Sequence, residues 1–504
     1  MPAHPIPSAR SPFHVLVLGA GVGGLSAAAH LARRGVRVTV VEKDSGPGGR
    51  CSQIERDGHT FDTGPTLMVL PWLYEQEFAT LGESLHDRLD LRRIDPSYRV
   101  VFDDGASLWL TSDPDRMRSQ LEAIEPGSFE GFEKYLDEGR RHYDLAVTHL
   151  VRRSFSEARA FFRPALIHWV VALKLLVRHY PHMRRFFHHP RLKAAFTFQD
   201  LYMGLSPFEA AATYSMMPYS ELVHGVWYPR RGMFAVVQAL EDIARGLGVE
   251  FEYGVAADRI LTGEGRATGI RLADGRQLAA DAIVANADLP YVYQELLPPD
   301  SGAARWQRMD YSCSALSFLW GIDRAYPELE PHTLFLADDY RGTFEAILKR
   351  KSLPETPSVY VHAPARVDAS MAPPGQDTLI AILPVGCLDS GGGQDWPRLQ
   401  ARARRAVFDR LATIGLTDLE SHIKFEVTSG PMDWRERLHL VKGSTHGLSH
   451  KVTQMAYLRP HNRHARFRNL YFAGASTHPG TGIPTVLVSG RLAAERLAQD
   501  WALP

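Results

Sequence analysis

Val15-Leu16-Val17-Leu18-Gly19-Ala20-Gly21-Val22-Gly23-Gly24 decides how the rest of this chain is read. Four apolar residues in a row fit a strand buried on both faces, and Gly19, Gly21 and Gly24 follow at G-x-G-x-x-G spacing. Gly19 permits the tight turn, Gly21 lets a pyrophosphate approach the backbone, and Gly24 allows close packing of helix on strand. Leu25, Ala28, Ala29 and Ala32 then give a helix with one apolar face that stops at Gly35. Val36, Val38, Val40 and Val41 form a second strand ending at Glu42, where an acid suits ribose hydroxyls. A simple glycine turn would need none of these flanking elements, so the unit predicts dinucleotide binding at a helix N-terminus.

Beyond Glu42 the chain enters loops instead of continuing the alternation: Lys43-Asp44-Ser45-Gly46-Pro47-Gly48-Gly49-Arg50, then Phe61-Asp62-Thr63-Gly64-Pro65-Thr66. Such glycine-rich loops suit an extended cofactor that crosses the fold, although each also fits an ordinary turn. Helical spacing returns from Met233 to Leu247, and Val249, Phe251, Tyr253 and Val255 alternate as a half-buried strand. Ile270, Leu272 and the turn Asp274-Gly275 predict a hairpin leading back to a core strand at 282–285. Residues 470–473 read as a short strand, followed by a Gly/Pro loop and a helix from Pro484 to Gln499, with Pro484 suited to its first turn. The fold class is therefore α/β, with a Rossmann-like lobe assembled from residues 1–75, 225–290 and 456–504. An α+β substrate lobe takes 76–145 and 291–455, and a helical lobe takes 146–224.

The 504 residues suit two or three lobes. Lys+Arg and Asp+Glu both total 57, which gives no global attraction to nucleic acid. Three cysteines without a CxxC exclude a disulfide framework and a Cys-based zinc site, and point to a reducing compartment. The start does not read as a signal peptide, and the most apolar stretch, 165–177, is too short to span a bilayer. Residues 152–193 hold ten Lys/Arg, five His, seven aromatics and one acid, Glu157. Phe155, Phe161, Phe162, Trp169, Phe186 and Phe187 interleaved with basic residues predict docking on an anionic membrane, the alternative being an ordinary basic helical lobe. A cytoplasmic, peripherally membrane-associated protein is expected. His179/His182, His188-His189 and His461/His464 have no carboxylate at ligand spacing, so they read as solvated or lipid-facing rather than as metal ligands.

The glycine turn, Glu42, Gly49-Arg50 and the FDTGPT run together resemble flavin-dependent amine oxidases and, more closely, the bacterial and fungal phytoene desaturases. The second likeness is carried by Gly225-Val226-Trp227-Tyr228-Pro229-Arg230 with Gly232, by Val284-Ala285-Asn286-Ala287-Asp288, and by the run 469–484 that contains Phe472-Ala473-Gly474-Ala475-Ser476-Thr477-His478-Pro479-Gly480. The resemblance implies FAD, a long polyene substrate, a membrane surface, and oxygen or a quinone as electron acceptor. It implies cofactor contacts from Gly19, Ala20, Gly21, Gly23, Gly24, Glu42, Lys43, Gly49, Arg50, Gly64, Pro65, Thr66, Val255 (through its backbone), Gly474, Ala475, Ile483 and Pro484. The family's acid/base pair finds its nearest match after Ser154-Phe155, at Glu157 and Arg159; a plain salt bridge is the competing reading of Glu157. Desaturation of phytoene or a close relative is the leading function. A flavin-dependent carotenoid isomerase, a later-step desaturase of C30 or hydroxylated carotenoids, an amine oxidase and a prenyl-binding protein without flavin are the alternatives.

Overall fold

The computed structural model describes residues 13–151, 165–299, 302–389 and 391–504. Strand His14–Leu18 lies at the centre of a five-stranded parallel sheet, ordered Leu470–Phe472, Ala282–Ala285, His14–Leu18, Arg37–Val41, Glu250–Glu252. Val15 sits beside both Ala282 and Val38, and residues 15–17 have no exposed surface. A parallel sheet is covered on both faces, which is why its strands are apolar throughout. Leu470–Phe472, Ala282–Ala285 and His14–Leu18 are successive neighbours that end side by side, so the loops beginning at Gly19, Asn286 and Ala473 meet along one edge.

The spacing predicts a helix with a single apolar face after Gly21. The structure instead buries every residue of Val22–Arg33 from Val22 to Leu31, Ser26 and His30 included. The sheet covers one side, and helices Ile483–Trp501 and Phe234–Gly246 pack on the others. Ser26 Oγ donates to the Leu487 carbonyl at 2.8 Å, and a Cβ added to Gly490 would lie 2.5 Å from the Gly23 carbonyl oxygen. The run Ala27-Ala28-Ala29 is small because its neighbours leave no room for longer side chains.

A seven-stranded, mostly antiparallel sheet forms the second layer, ordered Ile423–Ser429, Ser314–Ile322, Asp377–Val385, Val359–His362, His332–Phe335, Tyr98–Val101, Ser107–Leu110. Only the His332–Phe335 and Tyr98–Val101 pair runs parallel. Helix Trp396–Ala412 lies on it, with the Phe408 and Trp320 rings stacked at 5.0 Å.

The remaining described residues between Ser128 and His224 are mainly helical. Here two expectations are corrected. Phe187 and Trp169 are buried rather than lipid-facing: Phe187 stacks on Phe196 at 5.1 Å and Trp169 on His149 at 5.0 Å. His179 and His182 are not solvated. His182 Nε2 contacts Glu138 Oε1 at 2.7 Å, and His179 Nδ1 faces both Asp200 oxygens at 2.9 and 3.1 Å, fully buried. The rings of Phe132, Tyr135, Phe187 and Phe196 turn inward and join the large core that continues through the first sheet. Phe155, Phe161 and Phe162 lie outside the described residues, as do Glu157 and Arg159. No helix among the described residues is long and apolar enough to cross a membrane.

The Tyr135 hydroxyl donates to the Phe196 carbonyl at 2.8 Å, so the 3.1 Å contact between it and His179 Nε2 requires the ring to donate. One further proton is then shared between His179 Nδ1 and Asp200. Asp200→Ala removes the acceptor and leaves that polarity buried; a loss of about 3–5 kcal/mol is expected, read as a lowered thermal or urea midpoint. An unchanged midpoint would show that the pair does not hold the lobe.

Candidate active site

Gly19 stands at φ 97°, the left-handed region that glycine tolerates. Gly21 begins helix Val22–Arg33 without a side-chain cap, and no acid occupies its first turn. The positive end of the helix dipole is therefore available to an anion. Asn286 is wedged against this turn. A Cβ on Gly21 would lie 2.8 Å from Asn286 Oδ1, one on Gly23 2.6 Å from Asn286 Nδ2, and one on Gly24 2.0 Å from the Gly19 carbonyl oxygen. Asn286 Nδ2 donates to the Ala473 carbonyl at 3.1 Å, and the Gly474 amide donates to Ser489 Oγ at 3.1 Å. The glycines are thus required by protein packing as well as by any ligand.

The second glycine pair folds onto the first. The Gly48 amide donates to the Ala20 carbonyl at 3.0 Å, and Gly49 would place a Cβ 3.8 Å from Gly21 Cα. Glu42 is buried; its Oε2 accepts the Ala20 amide at 2.7 Å and its Oε1 the Asp44 amide at 3.0 Å. Burial raises its pKa, and these two amides oppose the rise. Each oxygen retains a further lone pair, enough for two adjacent hydroxyls. Lys43 joins Asp44 at 2.8 Å instead of the turn. The Val255 amide is taken by the Glu42 carbonyl at 3.1 Å, so a ligand contact there falls to the Val255 carbonyl.

Arg50 Nη1 donates to the Thr445 carbonyl at 3.0 Å, and a Cβ on Gly64 would lie 1.9 Å from the Arg50 carbonyl oxygen. Burial lowers the Arg50 pKa, offset by the charge of Asp288. Asp288 is itself buried and accepts from Ser476 Oγ at 2.7 Å; burial raises its carboxyl and Arg50 draws it back. Thr66, after Pro65, bonds the Tyr360 hydroxyl at 2.7 Å. At the far end, Ile483 is buried and Pro484 stands in the first turn of Ile483–Trp501, which again lacks an acid or a side-chain cap. Val486 of that turn would lie 3.1 Å from a Cβ on Gly23, so two uncapped helix starts converge. An uncapped phosphate cradle, a buried carboxylate with spare acceptors and a half-buried arginine fit a dinucleotide.

A sequence profile described as flavin containing amine oxidoreductase matches residues 22–317 and 400–498. The zeta-carotene-forming phytoene desaturase of Myxococcus xanthus is 43% identical over 490 residues, spanning 97% of this chain and 94% of its own. The phytoene desaturase of Fusarium fujikuroi is 40% identical over 511 residues, spanning 96% and 89%. The chain belongs to the carotenoid desaturases of the flavin-containing amine oxidoreductase family. Cyclohexylamine oxidase from Brevibacterium oxydans IH-35A shares the fold, with a TM-score of 0.59 at 17% identity over 98% of this chain and all of its own. FAD is the cofactor of this family.

Sequence reasoning gave the desaturase's Asn286 and Asp288 no role, although their place just after a core parallel strand was a usable signal. Glu221 offered none, being a single acid in an ordinary helical run. It is buried with the Tyr202 hydroxyl donating to Oε1 at 2.6 Å and Gln199 Nε2 donating to Oε2 at 3.0 Å. Tyr202 is in turn hydrogen-bonded to Tyr98 on the second sheet. Burial pushes Glu221 up to about 7.

A carboxyl raised above its unfolded value holds its proton more tightly in the native state. Stability is therefore lost as pH rises from about 4.5 to about 7, by about 3 kcal/mol for this group. Glu221→Gln, with Gln199 free to turn its unpaired Oε1 toward the new amide, is expected to flatten that slope and to raise the urea midpoint at pH 8. A variant whose pH profile overlays the wild type would remove Glu221 as the titrating group.

Proposed function

We propose that this chain is an FAD-dependent desaturase of phytoene or a closely related carotenoid. The observation that carries the reading is a complete dinucleotide cradle in a chain that aligns from end to end with phytoene desaturases. We assign the cofactor to the lobe formed by residues 1–75, 225–290 and 456–504, with the polyene between it and the lobe of 76–145 and 291–455. When bound, FAD supplies a two-electron acceptor: a saturated C–C bond flanked by alkenes gives up a hydride to it and a proton from the adjacent carbon. Oxygen or a quinone then takes the electrons on.

The chain's own residues hold and insulate. Glu42 takes the adenosine ribose hydroxyls, the start of Val22–Arg33 takes the pyrophosphate, and Arg50, Gly64, Pro65 and Thr66 follow the path toward the ring. The uncapped start of Ile483–Trp501 favours negative charge beside it, which raises the driving force for accepting electrons. Glu157 and Arg159 are retained as acid/base candidates by resemblance. Among the described groups, Glu221 with Tyr202 and Tyr98 is a cluster suited to move a proton, because its carboxyl is poised near neutrality.

Co-expression with enzymes that form phytoene is expected to turn colourless cells yellow to red. The purified protein should carry bound flavin in near one-to-one ratio. Asn286→Leu should lose the flavin and the pigment, whereas Lys43→Ala, whose lysine pairs outside the cradle, should retain both. Pigment-free cells with a flavin-loaded wild type would favour the isomerase or amine oxidase reading.

The helical lobe supports a membrane-docking role in a different way from the one its aromatics suggested. Ile167, Val171 and Leu176 are 72%, 70% and 77% exposed, and the exposed Arg178, Arg184 and Arg185 follow them along the chain. Aliphatic residues beside basic ones match an element lying on anionic lipid. In flotation with phosphatidylglycerol vesicles, the wild type should rise with the lipid at low salt. Replacing all three aliphatics by Ser should leave most of it behind, and equal flotation of both would sink the assignment.

A further inference from the structure

Apart from the cradle, a cavity of about 310 Å³ opens beside strand Leu470–Phe472, between the loop 456–465, helix Ala303–Gln307 and helix Ile483–Trp501. Its walls include Arg305, Arg459, Arg463 and Arg496, and no Asp or Glu among the described residues lines it. One carboxylate outside the lining, Asp500, pairs with Arg463 at 2.8 Å and Arg496 at 3.0 Å. Four guanidinium groups therefore face one acid.

Arg459 is 1% exposed and donates to the carbonyls of Leu448, Ser449, Gln454, Ala475 and Thr477, all of them neutral. No carboxylate lies within ion-pair distance of it among the described residues. Burial pushes it down to about 9, and the charges of Tyr214 and Asp288 only partly oppose that fall.

Two buried donors in the same wall also lack acceptors. His464 Nδ1 accepts the amides of Arg466 at 2.9 Å and Phe467 at 3.0 Å, so the neutral ring carries its proton on Nε2. That Nε2 and Trp306 Nε1 have no hydrogen-bond partner among the described residues. The Tyr293 ring holds both in place, 5.2 Å from His464 and 4.9 Å from Trp306. Guanidinium in excess of carboxylate and two unpaired N–H donors both ask for the same thing: an anion with several acceptor oxygens. A phosphate answers better than a carboxylate, since it brings more charge and more oxygens to a set of guanidinium forks.

We propose that this cavity binds a phosphate-type oxyanion, either free phosphate or diphosphate or the headgroup of an anionic phospholipid, with Arg305 and Arg463 at its rim and Arg459 behind. The site is separate from the dinucleotide cradle; Arg459 stands between them, holding the Ala475 carbonyl on one side and forming cavity wall on the other.

The test uses FAD-saturated protein, so that the pyrophosphate cradle is already filled. Inorganic phosphate and diphosphate are titrated calorimetrically, and vesicles of phosphatidic acid or of phosphatidylcholine are assayed in parallel. The wild type should bind diphosphate saturably at one per chain. Arg305→Gln/Arg463→Gln, at exposed positions, should weaken binding at least tenfold with an unchanged melting temperature, and Trp306→Phe several-fold. Selective binding of phosphatidic acid vesicles with the same arginine dependence, and no response to soluble anions, would assign the headgroup as source. If no probe binds, or binding is equal in the double variant, the proposal fails.

Discussion

Three loops leave adjacent parallel strands at one edge of the first sheet, and they can meet there only if almost no side chains intervene. Asn286 is the piece that fits between them. Its amide lies where a Cβ on Gly21, Gly23 or Gly474 would have to go, and its own bond to the Ala473 carbonyl ties the loop after Ala282–Ala285 to the loop after Leu470–Phe472. The bare backbone that presents amides to an anion is thus a by-product of packing around one planar side chain. An alanine at Gly24 would drive a methyl group into the Gly19 carbonyl oxygen. Tight packing makes the cradle rigid before any cofactor arrives, so less ordering is left for binding to impose.

The same economy appears in the buried carboxylates. Asp62 accepts the amides of Met233 and Phe234 at 2.8 and 3.3 Å and the Tyr228 hydroxyl at 2.9 Å. It therefore caps helix Phe234–Gly246 from the end of strand His59–Asp62, far away in sequence, and Gly232 has no side chain because a Cβ would touch that carboxylate at 2.6 Å. Two runs that look unrelated along the chain, Phe61-Asp62-Thr63-Gly64 and Tyr228-Pro229-Arg230-Arg231-Gly232, are one structural device. Burial pushes Asp62 up to about 6 against the pull of these donors, so stability tied to its proton is lost as pH rises from about 3.8 to about 6.

Elements with a strong period were legible in the sequence. Strands at 15–18, 282–285 and 470–472, the helix after Gly21 and the last helix all lie where apolar runs, glycines and Pro484 put them. Other features were hidden because sequence periodicity reports only what one segment does alone. That Val22–Arg33 is buried all round depends on two helices more than 200 residues away. Glu42 and Arg50 announced themselves by position in a motif. Asp288, Glu221 and Arg459 did not, since a single charged residue carries no sign of whether folding will place it in water or in the core.

The helical lobe shows why composition misleads about which residues face outward. A run rich in aromatics and cations suggests rings in lipid and charges in water, yet the described rings turn inward. Phe187 stacks on Phe196 and Tyr135 meets both rings at an angle, because short helices packed on the main core need large, flat side chains to fill the space between them. The surface is then left to Ile167, Val171 and Leu176, whose exposure costs free energy in water and is recovered only against another apolar phase. His179 and His182 complete the inversion: paired with Asp200 and Glu138, they fix the inward face, so that the outward one is set by what the interior could not use.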